Sequence, residues 1–311
     1  MKIAIVGSGL SGLAAADQLV AAGHEVQLFD KARGPGGRMS TRRVDIDGKQ
    51  VGFDHGAQYF TARDPAFRAV VADWKSENVV RPWPAAGAEA WVGCPAMNAP
   101  IKKLASQHDV RWSARIADLK RMENGWQLEC EGESLPVQFH AVIFAIPAEQ
   151  AAELLAPLHA EFAALARSTP SSPCWTVMLA FDEPVQTKQV TFRDDEVLGW
   201  AARNSDKSGR VETESWVLQA SPDWSTDHLE DDAAYVISTL VERFEQLSGA
   251  SLPKPLIESA HRWRFARSGQ TEFQAIYDRD QKLGVCGDWL IGPRVECAWL
   301  SGNALGKMMA D

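Results

Sequence analysis

Residues 2–30 of this chain are KIAIVGSGLSGLAAADQLVAAGHEVQLFD, and their pattern predicts how the fold begins. Lys2–Val6 is a short apolar run of the kind that forms a buried strand. Residues 10–22 place leucine and valine among alanines, which favours a helix, and Gly23 is a typical residue for its end. Residues 25–30 are a second, shorter apolar run. The stretch therefore predicts a β-α-β unit of a parallel sheet.

A glycine-rich turn, Gly7-Ser8-Gly9-Leu10-Ser11-Gly12, connects the first strand to the helix. In this spacing one glycine forms the tight turn, one lets the backbone approach a pyrophosphate, and one allows helix–strand packing. The phosphates then bind free N–H groups at the positive end of the helix. Asp30 ends the second strand, where a carboxylate accepts hydrogen bonds from ribose hydroxyls. The motif predicts a bound dinucleotide, and by itself it does not distinguish NAD from FAD.

The composition is that of an ordinary globular chain. Its 311 residues have room for about two domains. Lys and Arg number 32 and Asp and Glu 41, so the formal charge is −9, which argues against nucleic acid or an anionic membrane as a partner. No apolar run reaches the ~20 residues that cross a bilayer. We expect no cleaved signal peptide, because the apolar start of the chain builds the β-α-β unit.

The cysteine pattern indicates the compartment. The five cysteines are scattered and form neither a Cys-x-x-Cys pair nor a Cys/His cluster. We therefore expect no disulfide framework and no metal site, and a reducing cytoplasm as the location.

The remaining periodicity predicts a two-domain α/β (α+β) fold. Strands over residues 174–181, 198–203, 213–220 and 257–265 predict a second, mainly antiparallel sheet with a helix over 230–247 packed on it. A three-stranded meander over 112–138, a buried strand over 141–145, a strand over 283–286 and a closing helix over 295–309 complete a Rossmann-like domain. We assign residues 1–64, 108–148 and 267–311 to the nucleotide-binding domain, and residues 65–107 and 149–266 to the substrate domain.

Two further segments carry glycine-based signals. Gly36-Gly37-Arg38 follows Asp30 closely, and glycines beside an arginine suit a second approach to the diphosphate. Near the end of the chain, Gly287-Asp288 follows a predicted strand and precedes the closing helix. The N-terminus of that helix would stabilise negative charge on a bound ring.

This layout resembles the glycine-doublet flavoproteins, a superfamily of amine oxidases, phytoene desaturases and protoporphyrinogen oxidases. The resemblance implies FAD rather than NAD at the first motif, and a second domain of the amine-oxidase/p-hydroxybenzoate-hydroxylase type. Asp30 stands where many members carry Glu, and either carboxylate can hold the ribose. Residues 268–284 contain no cysteine, so the resemblance implies non-covalent FAD rather than the cysteine-linked flavin of monoamine oxidases.

Within that superfamily the chain most resembles the renalases, particularly the bacterial ones. Five blocks carry the likeness: residues 53–63 (FDHGAQYFTAR), Trp91-Val92-Gly93, His261-Arg262-Trp263, Cys286-Gly287-Asp288-Trp289 and Arg294-Val295-Glu296. The segment over 82–90 is shorter than expected for a bacterial renalase. Since that loop would border the substrate, the departure leaves fine specificity open.

The resemblance implies a reaction with few demands on side chains. Renalases oxidise the 2- and 6-dihydro isomers of NAD(P)H to NAD(P)⁺, with hydride going to flavin N5 and electrons to O2, which becomes hydrogen peroxide. No general base has to remove a proton, because the dihydropyridine leaves as an aromatic cation. We therefore assign no catalytic side chain. The implied partners are a nicotinamide dinucleotide and O2, and the oligomeric state stays open.

The resemblance and the motifs together give two sets of site residues. The expected FAD-binding residues are Gly7, Gly9, Leu10, Ser11, Gly12, Phe29, Asp30, Lys31, Gly37, Arg38, Met39, Ala57, Gln58, Ile116, Gly287, Asp288, Val295 and Glu296. The expected substrate-binding residues are Tyr59, Phe60, Thr61, Ala62, Arg63, Trp91, Val92, Gly93, Thr176, His261 and Ile291.

Three other functions stay open at this point. A flavin amine oxidase acting on a small amine shares the fold and differs in substrate. A desaturase-like enzyme acting on a lipid would need an apolar surface, which the charge of −9 disfavours. A flavin-bound protein without catalysis would show FAD and no turnover.

Overall fold

The computed structural model describes residues 1–310, so Asp311, the last residue assigned to the nucleotide-binding domain, lies outside the described residues. The strands are β1 Lys2–Val6, β2 Glu25–Phe29, β3 Arg42–Ile46, β4 Lys49–Phe53, β5 Val80–Pro82, β6 Trp91–Gly93, β7 Asp109–Arg111, β8 Ile116–Met122, β9 Gly125–Cys130, β10 Glu133–Phe139, β11 Ala141–Phe144, β12 Ser172–Phe181, β13 Thr191–Arg193, β14 Trp200–Arg203, β15 Glu214–Gln219, β16 Pro255–Arg267, β17 Ile276–Asp278 and β18 Leu283–Val285. The helices are α1 Leu10–Ala21, α2 Pro65–Ser76, α3 Ala99–Ala105, α4 Ala148–Leu155, α5 Ala160–Arg167, α6 Pro222–Asp227, α7 Ala233–Ser248, α8 Asp288–Ile291 and α9 Val295–Ala310.

Two large sheets organise the molecule and confirm the predicted fold class. The first has the strand order β17-β18-β11-β1-β2-β7 and is parallel except for the edge strand β17. The second is antiparallel, with the order β13-β14-β15-β12-β16. The predicted meander forms the sheet β10-β9-β8, and β3-β4 and β5-β6 form separate hairpins.

The parallel sheet is built on the first strand of the chain. In β1, Ile3, Ala4 and Ile5 are completely buried, because this central strand has β2 on one side and β11 on the other. Both faces of a parallel sheet are covered, which is why its strands are continuous apolar runs rather than alternating ones. The sequence 2–30 thus forms the predicted β-α-β unit.

The last helix of the chain packs directly on the first. A Cβ atom built at Gly302 of α9 would lie 1.9 Å from the carbonyl oxygen of Ser11, so only glycine allows this approach. Ser301, beside it, accepts a hydrogen bond from Gly287 N at 2.9 Å and donates one to Gln274 O at 2.6 Å. The head and the tail of the chain therefore meet, as the layout of the motifs predicts.

The antiparallel sheet has two buried faces, which β12 separates by alternation. Val177, Leu179 and Phe181 pack with the apolar residues of α7. Met178 and Ala180 point the other way and pack against the β3-β4 hairpin. Thr176 shares their parity, so its side chain lies on the hairpin-facing side of the sheet.

Several elements were not predicted. Asp109–Arg111 forms the edge strand β7 of the parallel sheet, and residues 42–53 form the β3-β4 hairpin. The helices α4 and α5 occupy a stretch that we left unassigned. The domain boundaries stay a prediction. None of the helices among residues 1–310 is both long and apolar enough to span a membrane.

The contact between α1 and α9 gives a first testable prediction. We expect Gly302→Ala to lower the free energy of unfolding by about 1–3 kcal/mol, because the new methyl group forces two helix backbones apart. The matched control is Gly34→Ala, since a Cβ there would meet nothing within 4 Å. Urea unfolding of both variants measures the difference, and equal stability of the two would contradict the described packing.

Candidate functional site

The first glycine turn leaves open space in front of α1. Gly7 has φ +103°, and a Cβ there would lie 2.4 Å from Ala145 O, while a Cβ at Gly12 would lie 2.1 Å from Gly7 O. At Gly9, by contrast, a Cβ would meet nothing within 4 Å. Gly9 is the N-cap of α1 and no side chain caps this helix end. The turn therefore combines free N–H groups with room for a pyrophosphate.

The second glycine turn lies against the first and reaches the tail of the chain. Gly37 has φ +52°, and a Cβ on it would be 3.6 Å from the Cα of Gly9. The adjacent Arg38 donates from Nη2 to Asp288 Oδ1 at 2.5 Å. Asp288 begins α8, directly after Gly287. Three segments that are far apart in the sequence therefore converge in front of α1.

Asp30 is oriented by its neighbours at the end of β2. Its Oδ2 accepts hydrogen bonds from Ser8 N at 2.9 Å and Ser8 Oγ at 2.8 Å, and its Oδ1 accepts one from Ala32 N at 2.8 Å. An ionised carboxylate has about four acceptor positions, so Oδ1 retains one for a ribose hydroxyl.

The His55–Gln58 segment lies between the glycine doublet and the antiparallel sheet. Ala57 N donates to Arg38 O at 2.8 Å. From the sheet, Gln219 Nε2 donates to Gly56 O at 2.8 Å and Trp263 Nε1 donates to His55 O at 2.9 Å. The segment thus joins the predicted cofactor site to the sheet of the second domain.

One row of the antiparallel sheet lies beside this segment. Trp200, Gln219, Thr176 and His261 are successive cross-strand partners on β14, β15, β12 and β16, so their side chains share one face. The Tyr59 ring centroid is 5.4 Å from that of Trp200. The structure therefore brings together three predicted substrate residues, and it adds Trp200 and Gln219, which the sequence did not reveal.

Other predicted substrate residues point elsewhere. Phe60 and Trp91 pair by two backbone hydrogen bonds, so their side chains lie on the same side. The Phe60 ring packs 6.1 Å from Phe67, and Lys75 Nζ is 5.7 Å from the Trp91 ring centroid. Both side chains thus face α2, on the side opposite to Tyr59. Trp91 there borders a surface groove of about 390 Å³.

The remaining predicted residues are placed as follows. Leu10, Ser11, Phe29, Met39, Ala62, Val92, Gly93, Ile116 and Gly287 are buried; Thr61, Ile291 and Val295 are half-buried; Lys31 and Arg63 are exposed. Glu296 is buried in the first turn of α9, and its Oε1 accepts hydrogen bonds from the backbone N–H groups of Arg63 and Asp64, both at 2.6 Å. It thereby ties the tail helix to the segment over 53–63. The FAD-binding and substrate-binding roles of all these residues stay predictions.

His261 in the row and the neighbouring His55 are held in the neutral form. Burial lowers the pKa of His55 to about 4, with smaller contributions from His261 and Arg42. Burial also lowers the pKa of His261, and Arg42 acts in the same direction. Their rings lie 4.9 Å apart, and the Trp263 ring packs on both. The aromatic side chains in this part of the site are therefore neutral at neutral pH, with Arg42 as the charged group near both histidines.

The structure contains a buried ionic cluster that the sequence patterns did not predict. Asp54, directly after β4, is ion-paired with both Lys207 and Arg210, which lie in the segment between β14 and β15. The signal that could have found it is Asp54 itself, an acid that directly follows the buried Phe53 and precedes the His55–Gln58 segment.

Comparison with known proteins defines the class to which this site belongs. Residues 5–74 match the family model of the NAD(P)-binding Rossmann-like domain. Residues 84–303, well over half of the chain, match that of the flavin containing amine oxidoreductases. The chain belongs to the flavin-containing amine oxidoreductase family, and its cofactor is FAD.

Solved structures agree on the fold. A putrescine oxidase superposes with a TM-score of 0.74 at 14% identity over 100% of this chain and 98% of its own. Cyclohexylamine oxidase from Brevibacterium oxydans gives 0.72 at 12% identity over 99% and 98%. Among curated relatives, hydroxyneurosporene desaturase from Rubrivivax gelatinosus is 38% identical over 95 residues, which are 30% of this chain and 17% of the desaturase. The match thus spans less than a fifth of that relative's length.

The residues present fit FAD. The open space at Gly9 and the uncapped start of α1 suit the pyrophosphate. Asp30 Oδ1 suits a ribose hydroxyl. The ion pair between Arg38 and Asp288 brings the C-terminal segment to the same site. We therefore expect Gly9→Val to weaken FAD binding at least tenfold, which is about 1.4 kcal/mol or more. Because a Cβ atom at this position meets no protein atom within 4 Å, we expect the apoprotein to keep its stability.

Flavin absorbance after dialysis against known FAD concentrations measures this effect, and thermal unfolding of the apoprotein is the control. Gly34→Val serves as the matched variant, because a Cβ at Gly34 also meets nothing within 4 Å. Full FAD occupancy in Gly9→Val would place the pyrophosphate elsewhere.

The pKa of His55 gives a pH prediction. It is lowered from 6.5 to about 4 in the folded protein, so between these values the unfolded chain binds a proton that the folded chain does not. The free energy of unfolding therefore falls as pH falls through this window, by up to about 3 kcal/mol. Urea unfolding at several pH values measures the decline, and His55→Gln reduces it. The control variant His140→Gln, at an exposed histidine, keeps the full decline in stability. Identical pH profiles for the wild type and both variants would refute the assignment of the decline to His55.

Proposed function

We propose that this protein is a renalase-like FAD-dependent oxidase of the 2- and 6-dihydro isomers of NAD(P)H, forming NAD(P)⁺ and hydrogen peroxide. The observation that carries the proposal is the aromatic face formed by Tyr59, the sheet row with its neutral His261, and the neutral His55. A dihydropyridine ring is flat and uncharged, and such a face matches it in shape and polarity.

The charges around this face favour a dinucleotide over an amine. The Arg193 guanidinium lies 4.9 Å from the Trp200 ring centroid, and the Arg193 side chain is exposed. A cation at the rim attracts the substrate phosphates and repels a protonated amine. Since His55 and His261 are neutral, they add no charge that would oppose the positive nicotinamide product.

The chemistry requires orientation more than acid–base groups. Bound FAD would supply the electron acceptor: a C–H bond of the dihydropyridine would break as a hydride is transferred, NAD(P)⁺ would leave, and O2 would take the electron pair with two protons as hydrogen peroxide. The chain's own residues position the ring: Tyr59 and Trp200 supply the apolar contact, and the half-buried Gln219 supplies a hydrogen-bonding group for a carboxamide. Holding the ring in one orientation supplies a large part of the rate enhancement.

We also propose that FAD is bound non-covalently. Burial raises the pKa of the Cys286 thiol to about 12 and raises that of Cys297. Both cysteines are completely or almost completely buried. A protonated, buried thiol is a poor nucleophile, so neither residue is suited to attack the ring.

A flavin amine oxidase is the second candidate. The family match and the superposition with putrescine oxidase favour it at the level of class and fold. The tilted pair of Tyr59 and Trp200 would also accommodate the alkyl part of a neutral amine.

One anaerobic experiment distinguishes the two functions. The FAD-loaded protein is mixed without O2 with 6-dihydro-NAD, with 2-dihydro-NAD, with ordinary NADH, and with putrescine or cyclohexylamine. We expect rapid loss of the visible flavin absorbance with one or both dihydro isomers and no comparable loss with the amines. Admitting O2 then restores the absorbance and yields hydrogen peroxide. Bleaching by amines alone would establish the second candidate, and bleaching by neither would reject both.

A further inference from the structure

The buried ionic cluster behind the His55–Gln58 segment has an unbalanced charge. The side chains of Asp54 and Lys207 are 0% exposed and that of Arg210 is 3% exposed. Asp54 Oδ2 lies 3.3 Å from Lys207 Nζ and is also ion-paired with Arg210 Nη2. One carboxylate thus faces two cations, which leaves a net charge of −1 + 1 + 1 = +1.

Each member of the cluster is charged at neutral pH. The two cations and the hydrogen bonds hold the pKa of Asp54 at about 2, although burial opposes them. Burial lowers the pKa of Lys207 to about 8, with Arg210 adding to the effect and Asp54 opposing it. Lys207 is therefore mostly protonated near neutrality, and it loses its charge as pH rises through about 8.

Hydrogen bonds connect the cluster to the cofactor segments. Thr41, in the segment that follows the glycine doublet, donates from Oγ1 to Asp54 Oδ1 at 2.7 Å. Lys207 Nζ donates to Gln58 Oε1 at 3.0 Å, and Gln58 is adjacent to Ala57, whose N–H donates to Arg38 O. The amide orientation of Gln58 is thereby determined, with its Nε2 donating to Gly56 O at 3.1 Å. The Trp83 ring, 5.2 Å from Nζ, shields the ammonium from water.

We propose that Lys207 is a positioning residue that orients Gln58 and supplies the excess buried positive charge that raises the reduction potential of the bound FAD. The inference rests on the FAD of the proposed function and on the expectation, from the sequence resemblance, that the flavin ring lies beside Ala57 and Gln58. Two-electron reduction adds negative charge to that ring. A fixed positive charge in a water-excluded region stabilises the added charge more strongly than an exposed one would.

Two variants separate this role from a merely structural one. Lys207→Met removes one cation and leaves Asp54 paired with Arg210, so the net charge of the cluster is 0. Lys207→Met combined with Asp54→Asn also removes the anion, so Arg210 alone leaves +1. If the charge acts on FAD, the second substitution restores the potential. If Lys207 only supports the fold, the second substitution gives no restoration.

The measurement is the midpoint potential of the FAD-loaded protein, equilibrated with reference dyes and without any substrate. We expect Lys207→Met to lower the equilibrium constant for two-electron reduction at least tenfold, which is about 30 mV, and the double variant to return it to near the wild-type value. Lys120→Met, at an exposed ion pair with Glu129, is the control and leaves the potential unchanged. An unchanged potential in Lys207→Met, or an equally low one in the double variant, would overturn the proposal.

If Lys207→Met does not fold, the midpoint potentials of the wild type and the double variant over a range of pH still test the proposal. The charged groups that contact Lys207 directly are Asp54 and Arg210, while the exposed Asp206 accepts a hydrogen bond from Trp83 Nε1 at 2.7 Å. Gln58, Trp83 and Thr41 are uncharged. The wild type and the double variant should therefore have similar potentials near pH 7, and the wild type should fall below the double variant as pH rises through about 8. Parallel curves would refute the proposal. Since no nicotinamide substrate is used, this result is independent of the bleaching experiment.

Discussion

The contact between the first and last long helices is the constraint on which the site depends. The backbones of α1 and α9 touch at Ser11 and Gly302, which brings Asp288 to Arg38. Closing so long a loop costs conformational entropy, and the buried surface between the helices offsets it. The cofactor site is therefore a property of the whole folded chain and of no single segment in it.

Local signals explain why so much of the fold was predictable. The strand, turn and helix over 2–30 are specified by neighbours in sequence, and the strands of the second sheet show their own apolar patterns. Asp109–Arg111 is too short and too polar to predict, and becomes a strand only because β2 offers it a free edge. The hairpin over 42–53 carries a turn signal at Asp47-Gly48, yet its strands are mostly polar, so their pattern is weak.

The site was predictable where the backbone sets its geometry. Gly7, Gly12 and Gly37 follow from space or φ, which only that residue type satisfies, whereas Gly9 leaves room for a ligand. Trp200 and Gln219 depend on the register between β14, β15 and β12, which no single segment encodes. Lys207 lies in a polar stretch typical of a surface loop, and its burial arises from its pairing with Asp54 across the molecule. Sequence spacing contains no such information.

The β5-β6 hairpin and its bridge to Phe60 make the position of the site independent of the length of the loop between β5 and β6. Pro82 pairs with Trp91, and Trp91 pairs with Phe60, so the segment that carries Tyr59 is anchored before the loop begins. The exposed tip, Gly87-Ala88-Glu89, lies beyond these pairs. Evolution can therefore lengthen or shorten that tip, and reshape the neighbouring groove, while the aromatic face stays in place.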